Sequence, residues 1–126
     1  MNLSQIHGAL ANACLIFSLI IAGYGFLRYF RGQGMDGSFW GAIAVGEVLY
    51  LAQIAAGFLL LLGGGPRPER LWVHILYGSV LVLMYPAAYG FTRGRDSRQE
   101  VAVYALLGLF LAGISLRAMT TSAFGS

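Results

Sequence analysis

The chain has 126 residues, of which 58% are hydrophobic and 10% charged, against about 25% charged in an ordinary soluble domain. Its net charge of +3 comes with eight basic residues, all arginines at the ends of apolar runs or in loops, and without a basic patch interleaved with aromatics nucleic-acid binding is excluded. The single Cys14 excludes an internal disulfide and a cysteine-based metal cluster.

Four apolar runs follow one another: Ile6–Leu27, Phe39–Leu62, Leu71–Phe91 and Val101–Ala118. Each has about the 20 residues needed to cross a bilayer. Residues 1–126 therefore read as one membrane domain, an all-α integral membrane four-helix up-down bundle. Helices suit that solvent because they satisfy their own backbone polar groups. The first run follows Met1-Asn2-Leu3-Ser4-Gln5, which carries no basic residue. A secretory signal needs one, so the run is expected to be retained. Arg31 to Ser38, with three glycines, separates the first two helices, and Ser38 is the expected N-cap of the second. Gly63-Gly64-Gly65-Pro66-Arg67-Pro68 breaks the chain before the third. Pro86 is expected to disturb that third helix. Thr92 to Ser97 leads into the fourth. Loops this short force neighbouring helices antiparallel.

The arginines set an orientation. Arg28, Arg31, Arg93, Arg95 and Arg98 lie at one end, and Arg67, Arg70 and Arg117 at the other. The richer end is expected to be cytoplasmic, in a plasma membrane of the bacterial kind, with both termini on the extracytoplasmic side. Tyr24, Tyr29, Trp40, Trp72 and Tyr89 fall near the span ends, where amphipathic rings prefer to sit.

The chain's two histidines, His7 and His74, lie just inside the first and third runs. In an up-down bundle those helices run the same way, so both imidazoles sit at one depth. Two such ligands suit a haem iron, and bis-histidine ligation leaves no open position, as electron transfer requires. At helical spacing the His7 face continues through Ala11, Cys14, Ser18, Ala22 and Gly25, a small-residue seam that leaves room for a flat macrocycle. His74 is followed one turn on by Gly78. Arg70, one turn outward from His74, and Arg117 could pair with propionates, since a guanidinium fork matches a carboxylate. Each feature has a plainer use: small seams serve close helix packing, interface histidines bond water or carbonyls, and arginines mark span ends. A weak repeat, Ile6-His7 against Val73-His74 and Gly23-Tyr24-Gly25-Phe26 against Ala88-Tyr89-Gly90-Phe91, would relate the two histidines by a pseudo-two-fold axis.

Glu47 lies deep in the second run. A carboxyl there is costly and marks a functional site or an internally bonded acid. With Tyr50 and Gln53 it forms a possible proton or quinone site. Gln53 is nearer the histidine plane and Glu47 far from it. No phosphate loop, zinc spacing or serine triad occurs.

Gln53-Ile54-Ala55-Ala56-Gly57, a short loop, and then Leu71-Trp72-Val73-His74-Ile75-Leu76-Tyr77-Gly78 resemble a helix pair of the haem A synthase family. Ile6-His7-Gly8 resembles the family's earlier histidine-bearing helix. The resemblance implies haem held between two histidines near the outer face. Ser4 stands where the family has an acid and Gly8 where it has an arginine, so the family's catalysis is not implied. Small four-helix membrane cytochromes b share the ligand arrangement. The expected function is electron transfer through haem b, in a cytochrome or a haem-bearing subunit rather than a stand-alone enzyme. Other membrane subunits, and quinone, would be its partners. The alternatives are a cofactor-free assembly subunit, or a pigment-binding subunit whose histidines act separately.

Overall fold

The computed structural model describes residues 2–64 and 71–120. They form α1 (Leu3–Phe30), α2 (Gly37–Leu62), α3 (Leu71–Thr92) and α4 (Arg98–Thr120). The all-α fold with four helices is thus present, and each helix is long and apolar enough to cross a membrane. The shortest, α3, has 22 residues, or about 33 Å at about 1.5 Å each.

The helices start and stop where backbone chemistry dictates, beyond the apolar runs. Asn2 caps α1: its side chain accepts from the Gln5 amide, and the Gln5 side chain accepts from the Asn2 amide. This reciprocal box satisfies two amides that no helical carbonyl reaches. Gly32, at φ +70°, lets the chain turn back so that the Gln33 amide reaches the Arg28 carbonyl at 2.9 Å. The N-cap of α2 is Asp36, not Ser38: its extended backbone and its carboxylate, 2.8 Å from the Phe39 amide, satisfy the first turn. Pro86 does not interrupt α3, which continues to Thr92. The proline removes one intrahelical bond, and packing against α2 and α4 holds the helix through the gap.

α1 packs on α2 and α4, and α3 packs on the same two. Ser18 hydrogen-bonds Tyr50, and Gly46 lies against Ile21. Tyr50 stacks on Tyr85, Tyr85 meets Tyr104, and Gly25 lies against Ala105. Between α1 and α2 the contacts run from Ser18–Tyr50 to Ile21–Gly46, rising along one helix as they fall along the other. The core holds Ile21, Phe39, Tyr50, Tyr104 and Leu111, all fully buried, together with Cys14 and Ser18. Large apolar side chains such as Phe30, Val48, Leu62, Leu83 and Phe91 face outward.

At one end the two loops are knitted together. Arg28 donates to the Gly34 carbonyl and pairs with Asp36 at 3.0 Å. The Met35 amide donates to the Asp96 carbonyl. Arg98 donates to the Tyr29 carbonyl and lies 4.0 Å over its ring. Asp36→Ala should cost about 1 kcal/mol, nearly all from the lost cap, because a half-exposed ion pair adds little. Asp36→Asn keeps the cap and should unfold close to the parent temperature in a detergent melt.

Candidate functional site

His7 and His74 meet. Their ring centres are 6.3 Å apart, with the planes inclined by 68°. Two imidazoles bound end-on to one metal, at about 2.0 Å per bond, would place their centres about 6 Å apart. Rotation of each ring about its metal bond makes the inclination no obstacle. Among the described residues, no group of three or more His, Cys, Asp or Glu gathers to hold an ion.

Two residues of α2 shape the His7 side. Gly57 lies directly against the ring: a Cβ there would come within 3.1 Å of His7 Cε1. Gln53, one turn earlier, brings its main chain and side chain beside the imidazole. Even so, His7 Nδ1 and Gln53 Oε1 are both buried without a hydrogen-bond partner. On the other side His74 lies beside the main chain of Ala118, so the exposed Arg117, one residue earlier, is at the same level. Arg67 and Arg70 lie outside the described residues. Gly78 is not part of the histidine contact. It admits Ile54 of α2, whose Cδ1 would be 2.8 Å from an added Cβ.

The small-residue seam on α1 is put to another use. Cys14, Ser18, Ala22 and Gly25 are buried, and α4 closes over them. An added Cβ on Gly108 would stand 3.0 Å from both the Ser18 carbonyl oxygen and the Ala22 nitrogen. Below the first turns the seam is a helix-packing surface, with no room for a macrocycle. Gly57 instead lets the His7 ring lie directly against α2.

Of the expected group of Glu47, Tyr50 and Gln53, only Gln53 stands apart; Tyr50 remains close to Glu47 and Tyr85. Gln53 belongs with His7. Tyr50 is fully buried, bonded to Ser18 and stacked on Tyr85. Glu47 lines a cleft of about 220 Å³ with Trp40, Tyr85, Pro86, Tyr89 and Tyr104. Glu47 and Gly57 are ten residues apart on α2, about 15 Å along the axis. Gly57, Trp40 and Tyr104 were missed as site residues. The Gln53-x-x-x-Gly57 spacing places both on one helix face, which is the signal that could have found Gly57. Compared with known proteins, the chain matches no family, no curated protein and no solved structure.

Proposed function

We propose that the chain crosses a bilayer four times as an up-down bundle and holds one haem b between His7 and His74. In this reading it is an electron-transfer protein or the haem-bearing subunit of a larger membrane complex. The carrying observation is the 6.3 Å contact between the chain's two histidines, contributed by α1 and α3. Two half-buried imidazoles brought together between apolar helices lose hydration that a shared metal would offset.

The chain's own groups can orient the pair. A ligating imidazole usually donates its second N–H to a carbonyl, which fixes the tautomer. A small turn of the Gln53 amide would bring Oε1 to His7 Nδ1, pairing two atoms that now lack partners and directing Nε2 toward the metal. Arg117, together with Arg70, which stands four residues before His74 in the sequence, would pair with the propionates. Bound there by His7 and His74, a haem would supply one-electron exchange. The knitted loop end, with its five arginines, would face the cytoplasm, placing the histidines and both termini toward the opposite side. The close edge-on approach of the two rings also disfavours the pigment reading, since two separate pigments would need the imidazoles directed apart.

The test is a reduced-minus-oxidised absorption spectrum of the protein purified from a haem-replete host. A sharp low-spin signal at one haem per chain is expected. A colourless protein overturns the reading.

A further inference from the structure

The cleft around Glu47 has a chemistry of its own. It opens between α2 and α3 and reaches in to Tyr104 of α4. Three of its polar atoms, Glu47 Oε1, the Tyr85 hydroxyl and the Tyr104 hydroxyl, are buried and make no close hydrogen bond, although Tyr85 lies near the Tyr50 hydroxyl and Tyr104 near the Thr92 side chain. Tyr85 and Tyr104 are 2% and 0% exposed, so water does not supply the missing bonds. Each such group carries a desolvation cost unless something pairs with it, and three at one cleft point to a bound molecule that does.

The walls restrict what that molecule can be. Trp40 meets Tyr89 and Tyr104 edge-on, with ring centres 5.7 and 5.5 Å apart. Tyr85 lies beside Tyr104 at 6.1 Å. Aromatic walls favour a flat ring, which gains offset or edge-to-face contacts. The hollow is open along much of its rim, and its volume, about 220 Å³, matches one substituted six-membered ring. Buried phenol hydroxyls need acceptors, which the carbonyl oxygens of such a ring would provide. An organic cation would answer the carboxylate of Glu47 and the aromatic faces, but it would leave both hydroxyls unpaired. Glu47 can donate to a ring carbonyl when protonated and accept from a ring hydroxyl when ionised, so it suits the oxidised and reduced forms alike. An apolar tail could leave through the open side and lie along the outer surfaces of α2 and α3, where Val48, Leu51 and Leu83 are exposed.

We propose that this cleft binds the headgroup of a quinone-class lipid, held by Glu47, Tyr85 and Tyr104 and walled by Trp40. The site rests on the membrane-spanning reading and not on the histidine pair. Its place about 15 Å along the bundle from His7 makes it a separate site from the histidines.

The test uses the Trp72→Phe protein in lipid nanodiscs, which leaves Trp40 as the one tryptophan. Stable incorporation into the discs reports on the membrane reading by itself. Titration with decylubiquinone should quench Trp40 fluorescence saturably. Tyr85→Phe with Tyr104→Phe, and separately Glu47→Gln, should weaken that binding tenfold or more. The two phenylalanine changes remove only unpaired hydroxyls, so the melting temperature without quinone should stay level or rise, which keeps misfolding from imitating the result. The same titration in the His7→Ala, His74→Ala protein should give the parent affinity, whatever becomes of haem. Quenching that is linear and equal in every variant is mere partition into lipid and overturns the site. Saturable quenching by tetraphenylphosphonium that decylubiquinone does not compete with overturns it in favour of a cation site.

Discussion

His7→Ala and His74→Ala are each expected to abolish the low-spin haem signal, and neither should leave a half-strength spectrum. The two rings share one centre in this reading, so losing either opens the iron instead of emptying one of two sites. Gly57 provides the more discriminating variant, because it touches no metal. A Cβ at that position already stands 3.1 Å from His7 Cε1, and the branched side chain of Gly57→Val would reach further into the ring. His7 would have to leave its rotamer or α2 would have to back away, and overpacking of this kind typically costs about 1–3 kcal/mol. We expect haem content to fall severalfold in Gly57→Val, with an intermediate value in Gly57→Ala. Gly8 is the control: it adjoins His7 in sequence, but an added Cβ there meets nothing within 4 Å. Gly8→Ala should keep the parent spectrum. Haem loss in Gly8→Ala as great as in Gly57→Val would remove the geometric argument, and a full spectrum in either histidine variant would remove the paired-ligand reading.

The four helices were legible because each is a continuous apolar run, a signal that survives without knowledge of its neighbours. Their ends were less legible. Hydropathy stops at the last apolar residue, whereas α1 begins at a polar capping box, Asn2 with Gln5, and α2 begins at a charged cap, Asp36. The meeting of His7 and His74 follows from their matching positions on the first and third runs. The inward faces could not be read in the same way. A helix that is apolar all round has no polar stripe to mark its outside, so which face of α2 turns inward is set by packing, while Glu47 and Gln53, six residues apart, stand about 120° apart around the helix whatever its rotation. Tyr104 and Trp40 were therefore invisible as partners of Glu47, and Trp40 read only as a residue of the interface belt. The seam from Cys14 to Gly25 was correctly placed on an inner face, but its occupant was not foreseen. Gly108, which fills it, lies in a run of ordinary apolar sequence with no period to single it out.

That glycine is also where the bundle should be least tolerant of change. α1 and α4 approach most closely along the seam, with the backbone at Ser18 and Ala22 facing Gly108. An added Cβ would lie 3.0 Å from a carbonyl oxygen and 3.0 Å from a backbone nitrogen. Neither atom can swing aside like a side-chain tip, so the helices themselves must part. Separating them loses the dispersion contacts of the whole seam, where helices gain most of their association through close packing. It would also strain the Ser18–Tyr50 bond and the buried hydroxyl that depends on it. Gly108→Leu should therefore destabilise the fold by about 3 kcal/mol or more, at the upper end of overpacking costs, and should lower the detergent melting temperature sharply. Gly113, about a turn and a half further along α4, meets nothing within 4 Å. Replacing Gly113 with leucine adds an apolar side chain to an exposed position and should leave the melt close to parent, or raise it slightly through helix propensity. Equal melts for the two leucine variants would mean that α1 and α4 do not pack along this seam. The placement of Ser18 and Tyr50, on which the cleft geometry depends, would then have to be redrawn.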